Sequence, residues 1–186
     1  MLDSVARVQS SWARLEPGLA AHGLAMTQAF IGHAPTVLQL VHGKRGLLLT
    51  DPEMGPIMVA HQATLLRLVG SAVAGQRDWD GELAPTLLRC GRMHARFGAS
   101  IRDFYPPCGA AMMDTLRGAL GDELTADVAA AWESAFAFVA THMLAGIDAA
   151  QQAMAEEVAL ASILRGDAAF ARPAPALLLG ALVKVA

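Results

Sequence analysis

Apolar residues recur every three or four positions along most of this chain, which is the spacing of helices that bury one face. Glycine and proline breaks separate the stripes, as at Pro17-Gly18, Gly98–Pro107 and Gly121-Asp122. The pattern therefore predicts eight helical segments, over residues 4–16, 19–32, 36–41, 58–72, 83–98, 109–120, 125–143 and 151–166. The last segment is predicted either to extend the helix before it or to pack beside it.

Two of these stripes carry a histidine where a core residue is expected. The stripe of Leu83, Leu87 and Gly91 ends at His94, and His61 lies on the apolar face of the preceding predicted helix. Two inward imidazoles from neighbouring helices can face one metal centre from opposite sides. The other four histidines share no stripe with this pair and are expected at the surface.

Composition narrows the fold class and the compartment. The 186 residues are 54% apolar but only 5% aromatic, and they are rich in alanine, leucine and methionine, which favours one all-α domain. A net charge of −3 with no basic run argues against nucleic-acid binding. Cys90 and Cys108 lack metal or disulfide spacing and are expected to be reduced and structural. We find neither a signal peptide nor an apolar run long enough to span a membrane, so a cytoplasmic protein is expected.

Several short motifs occur in the order that globins show. In the run GRMHARFG, the histidine is followed four residues later by glycine. The run FYPPCGAAMMDTLRGALGDELTADVAAAWESAF then contains an aromatic-Pro-x-x-Gly segment, GD-x-x-T and Ala-Trp. From about Val5 to Gly146 the chain resembles bacterial single-domain globins and the globin part of flavohaemoglobins, and its pattern is similar to that of neuroglobins. The resemblance implies a globin fold, three helices over three, across residues 1–148. Residues 149–186 are then a helical extension with an apolar tail, expected to be partly disordered.

The resemblance also implies a haem b site. His94 takes the position of the proximal residue that ligates the iron, and His61 the distal position, where its N–H can donate a hydrogen bond to a bound gas. A register with Gln62 inward would match flavohaemoglobins, but we expect it to turn Arg67 inward, so His61 is preferred. The other expected haem contacts are Leu65 and Val69 on the distal side, Leu87 and Leu88 on the proximal side, and Ile101 with Phe104 or Tyr105 at the edge.

Two positions depart from the family pattern. Val41 stands where a nearly universal phenylalanine packs on the haem. Thr27 stands where flavohaemoglobins have a tyrosine that helps to hold oxygen, or Met26 does if Ala34 is an insertion. The distal wall therefore lacks a phenol and one flat apolar contact.

The function implied is reversible binding of a diatomic gas, oxygen or nitric oxide. Nitric-oxide dioxygenase activity would need an external reductase, because the chain has no Gly-rich phosphate fingerprint and little length for reductase domains. The alternatives are a haem-based gas or redox sensor that acts through a partner, and a haem-free globin-fold interaction module. A homodimer is left open.

Overall fold

Helices make up the regular secondary structure in the computed structural model, which describes residues 2–37, 54–75 and 78–165. Within those ranges the prediction of an all-α fold is confirmed. The α-helices, in chain order, are α1 (Leu2–Leu15), α2 (Leu19–His33), α3 (Met54–Val73), α4 (Ala84–His94), α5 (Tyr105–Leu120) and α6 (Ala126–Leu164). The predicted helix over residues 36–41, and with it Val41, lies almost wholly outside the described residues.

The short connections show why two helix boundaries differ from the sequence prediction. α4 ends at His94 rather than Gly98, because a 3-10 turn at Ala95–Phe97 leads into Gly98, whose φ of 88° does not continue a helix. α5 begins at Tyr105 rather than Gly109, because Pro106 and Pro107 fit in a first helical turn. The predicted loop before α4 contains a turn of π-helix at Trp79–Leu83.

The last helix, α6, is 39 residues long and without a break. The helix-prone segment after residue 150 therefore extends the preceding helix instead of packing beside it. By length and composition α6 could also cross a membrane, although core helices of globular proteins meet the same test. Here the first half of α6 is a core helix, since Val128, Trp132, Val139 and Ile147 are almost completely buried.

The main core joins all six helices around two tryptophans. Trp12 of α1 and Trp132 of α6 are buried with ring centroids 6.4 Å apart. The Trp132 indole N–H donates a 3.0 Å hydrogen bond to Ser11 Oγ, which satisfies this buried donor. A Cβ at Gly70 of α3 would lie 2.0 Å from the Trp12 ring, so only glycine allows α3 to approach α1 this closely.

A second close approach fixes α4 on α6. A Cβ at Gly91 would lie 2.1 Å from the Met143 carbonyl oxygen, and a Cβ at Gly146 would lie 2.2 Å from the Leu88 carbonyl oxygen. The two backbones therefore touch directly at this point, which we call the glycine crossing (Gly91 on α4, Gly146 on α6). Because His94 lies one turn beyond Gly91, the crossing also sets where that histidine stands.

Candidate functional site

His94 is the last residue of α4, and its ring is hydrogen-bonded to the backbone of the same helix. Its Nδ1 lies 2.8 Å from the carbonyl oxygen of Cys90, four residues earlier. A carbonyl only accepts, so Nδ1 carries a proton, and in the neutral form of the ring the lone pair is on Nε2. The ring of Phe97 packs edge-on against the imidazole, at 6.0 Å between centroids. His94 thus presents a metal-binding nitrogen in a fixed orientation.

His61 of α3 faces His94 across the gap between the two helices. The two ring centroids are 6.0 Å apart with an interplanar angle of 37°. His61 is exposed to solvent rather than enclosed as the sequence pattern predicted. The protein packed around its ring, followed by the charge of His94, nevertheless lowers the pKa of His61 below its usual 6.5. His61 is therefore neutral at pH 7 and able to ligate a metal.

Gln62 is a polar residue of the site that the sequence prediction set aside. Its side chain is 3% exposed, and the Cys108 thiol donates a long, 4.0 Å hydrogen bond to its Oε1. The reason for rejecting an inward Gln62 was wrong, because Arg67 is exposed while Gln62 is buried. Five helical steps separate the two residues by roughly 140°, so one can point inward and the other outward. The spacing of Gln62 from Met58 and Leu66, four residues on either side, was the signal for it.

Of the four apolar residues predicted on either side of the haem, two are buried in the core and two are only half-buried. Val69 and Leu87 are fully enclosed in the main core. Leu65 and Leu88 are only half-buried, and Leu66 rather than Leu65 is the enclosed leucine of that turn of α3. Leu65 and Leu88 therefore have apolar surface that the main core does not cover.

Below His94 a small apolar cluster forms a floor that involves α6. Ile101, expected at the haem edge, packs there with Ala95 and Ile147, and Ile147 is fully buried. The partly buried residues that pack against this cluster are Phe97, Phe104, Tyr105, Leu144 and Ala150. Sequence reasoning missed Phe97, Leu144 and Ile147, because their contact with the end of α4 depends on the glycine crossing.

Phe104 and Tyr105 both lie at the junction of this floor with the main core. The Phe104 ring meets Phe30 of α2 edge to face at 6.3 Å. Burial, followed by the nearby Cys108 and Cys90 thiols, raises the pKa of the Tyr105 phenol. Tyr105 therefore remains a neutral hydroxyl at any physiological pH.

Thr27 lies on the buried face of α2. It is completely buried in α2, and its hydroxyl donates a 2.7 Å hydrogen bond to the Gly23 carbonyl. Met26, the alternative position, is completely buried as well.

The facing histidines fit an iron whose other ligands come from a porphyrin. Two imidazoles that bind one metal from opposite sides would have centroids roughly 6 Å apart, given metal–nitrogen bonds of about 2.0 Å. The observed 6.0 Å agrees with that spacing. Across the described ranges, no group of three or more His, Cys, Asp or Glu side chains is placed to hold a metal ion. Two nitrogen donors from opposite sides are what a haem iron leaves for the protein to supply.

Comparison with known proteins finds similarity to neuroglobins. No family model matches the chain. A neuroglobin of Dissostichus mawsoni is 26% identical over 144 residues, which cover 75% of this chain and 87% of that protein. The crystal structure of the neuroglobin from the photosymbiotic marine acoel Symsagittifera roscoffensis superposes with a TM-score of 0.59 at 12% identity, over 78% of this chain and 97% of that one. The chain therefore has the globin fold and is similar in sequence to a neuroglobin.

Two features of this chain stand out beside the shared fold. Its helix α6 continues for 14 residues beyond Ala150, the last residue of that helix that packs against the apolar floor. Two adjacent polar residues of α3 also point to different neighbours, His61 to His94 and Gln62 to Cys108. His61 is exposed to solvent, whereas Gln62 is buried.

The two cysteines of this chain are expected to differ in reactivity. Cys108 reaches the surface in part, but the burial of its thiol raises its pKa to about 12. Since only the thiolate reacts, alkylation of Cys108 by iodoacetamide at pH 8 should be roughly a thousandfold slower than that of an ordinary thiol. Peptide mass spectrometry of the native protein should show Cys90 modified first, and urea should make both react. Equal native rates would show that the Cys108 thiol is accessible.

Proposed function

We propose that this globin binds one haem b between α3 and α4 and uses it to bind a diatomic gas, oxygen or nitric oxide, reversibly. The observation that carries the proposal is the facing pair of His61 and His94 at 6.0 Å. Ferrous haem supplies the iron site at which such a gas binds. The chain's own residues then decide how the haem is held and how the gas competes for it.

His94 is the permanent ligand in this proposal. Its Nδ1–H donates to the Cys90 carbonyl, so the imidazole keeps one tautomer and one orientation. The apolar floor of Ile101 and Ile147 beneath it excludes water from that side. Both properties favour tight binding of a neutral imidazole to iron.

His61 is the exchangeable ligand, and Gln62 remains in place beside it. A gas has to displace His61. Because this side chain is exposed, its ring can move out into solvent. Gln62 is buried, and its Oε1 is the atom that lies near the Cys108 thiol, while its Nε2 amide is a hydrogen-bond donor. That amide can therefore donate to a gas ligand after His61 has moved away.

Two finer functions rest on this one. Detoxification of nitric oxide would need an external electron donor, and nitrate formation in the presence of an added reductase would test it. Sensing through a partner is favoured by one observation, the glycine crossing, because it joins the helix of His94 directly to the exposed end of α6.

Adding haemin to the purified full chain tests the proposal. We expect a Soret band and a six-coordinate low-spin spectrum, and a five-coordinate spectrum for His61→Leu. If His61 closes the site in nine molecules out of ten, its removal should raise the apparent affinity for carbon monoxide about tenfold. Thr64→Leu, one turn away on the exposed side of α3, is the matched control and should change neither property.

The outcomes separate the two assignments. A chain that takes up no haemin would overturn the haem proposal as a whole. A His61→Leu variant that binds haemin with unchanged coordination and unchanged gas affinity would remove His61 from the site and leave His94 in it.

A further inference from the structure

The end of α6 exposes a stripe of apolar side chains beyond the globin core. Leu160 is 58% exposed, Ile163 is 51% exposed and Leu164 is 79% exposed. With Ala153 and Glu156 they follow the three-and-four spacing of a helix face that packs on another helix. We call these five residues the α6 stripe. Three large aliphatic residues together at one helix end form a contiguous patch, which usually indicates a contact surface.

We propose that the α6 stripe is covered by the chain's own C-terminal segment, residues 176–186, which packs on it as an antiparallel helix. Residues 166–186 lie outside the described residues. Their sequence begins with a linker that contains Gly166, Pro173 and Pro175 and ends in the apolar run ALLLGALVKVA. α6 ends at Leu164, before this linker, and the run after the linker has the apolar character that a partner of the stripe needs.

Length supports this occupant. The stripe spans roughly 16 Å along α6 from Ala153 to Leu164, at about 1.5 Å per residue. The 11 residues 176–186 would span about the same length as a helix. The ten-residue linker 166–175 can reach about 33 Å when extended, whereas packed helix axes lie only about 8–10 Å apart. The segment can therefore return along the whole stripe.

Charge supports the antiparallel direction. If Ala176 lies beside Leu164, Lys184 lies eight residues further back, level with Glu156. Glu156 is exposed on the stripe and accepts a 3.0 Å hydrogen bond from Gln152 through one carboxylate oxygen, Oε1. Lys184 is the only charged residue in the run from 176 to 186, and in this alignment it meets the acidic position of the stripe.

Tethering favours the chain's own segment over a separate partner. A segment on a ten-residue linker has an effective concentration on the order of millimolar at the stripe, well above that of a second copy in dilute solution. An anionic membrane is a poorer match, because Glu156 and Glu157 are both exposed at this end of α6.

Hydrogen–deuterium exchange on the full-length protein tests the proposal. We expect amides of residues 176–186 to exchange at least ~10-fold more slowly in the wild type than in Leu160→Glu, which places a charge under the segment. Val158→Glu is the matched control, because Val158 is 59% exposed on the other side of the same helix. It should leave the protection unchanged. Lys184→Glu should weaken the protection, and adding Glu156→Lys should restore it.

Each other outcome contradicts the proposal. Unprotected amides in the wild type would show that the segment does not dock. Protection that rises with protein concentration, together with a dimer in light scattering, would assign the stripe to a second copy. Protection that appears only with phosphatidylcholine vesicles would assign the segment to a membrane. Equal effects of Leu160→Glu and Val158→Glu would place the contact elsewhere on α6.

Discussion

Replacing His94 by alanine is expected to lower the affinity for haemin by at least ~100-fold, since loss of a mere orienting partner of a metal ligand already costs about 10–100-fold. The variant retains His61, but that side chain is exposed to solvent, and within the described ranges it has no hydrogen bond to a helix carbonyl like the one that orients His94. Titration of the protein with haemin, followed at the Soret band, measures the loss.

The matched control for this variant is His142→Ala. His142 is also partly buried, and its Nδ1 lies 2.9 Å from the Phe138 carbonyl oxygen, four residues earlier on α6. It differs from His94 in facing Phe138 rather than His61. His142→Ala should keep haemin affinity, and added imidazole should partly restore binding to a His94→Gly variant. Undiminished affinity in His94→Ala would mean that the iron ligand has been assigned to the wrong residue.

Replacing Gly91 by alanine is expected to be the most damaging small change to the fold. The added methyl group would lie 2.1 Å from the Met143 carbonyl oxygen and 3.0 Å from Gly146 Cα, both backbone atoms of α6 that cannot rotate away. Overpacking of this kind costs about 1–3 kcal/mol or more. Urea unfolding followed by circular dichroism should show that loss in the free energy of unfolding, and haemin affinity should fall as well because His94 moves with α4.

Gly118→Ala provides the contrast. Gly118 is an exposed helix residue, and no other atom lies within 4 Å of the place that an added methyl group would occupy. Alanine should therefore stabilise the protein by about 0.5–1 kcal/mol. If Gly91→Ala were as stable as Gly118→Ala, the two helices would not meet through their backbones at this point.

The sequence was sufficient to predict the all-α fold, because helices depend on local periodicity. It also selected His61 and His94, whose ring centroids lie 6.0 Å apart, but it wrongly turned His61 inward, since that residue is exposed. It failed at Gln62, where a single helical step separates the enclosed residue from its exposed neighbour. Stripes of apolar residues are too broad to resolve that step when Leu65 and Leu66 are both leucine. Gln62 is buried because Cys108 of α5 packs against it, and this contact between helices is not encoded in the local pattern of α3.

The apolar floor below His94, formed by Ala95, Ile101 and Ile147, could not be predicted for a different reason. Ile147 and Leu144 belong to a helix about fifty residues after His94, and nothing in their own pattern indicates which helix they meet. The contact follows from Gly91 and Gly146, and a glycine in a sequence does not indicate what lies close to it. The junction at Tyr105 likewise depended on prolines that begin a helix, which the sequence had suggested would interrupt one.

The glycine crossing has a mechanical consequence for the end of α6. No side chain lies between the backbones at Gly91 and Gly146, so there is no soft layer to absorb a displacement of α4. α6 continues for 18 residues after Gly146, up to Leu164, which is a length of about 27 Å. A tilt of α6 by about 5° about the glycine crossing would move Leu164 by roughly 2 Å, so a small movement of α4 would become a larger one at the far end of α6.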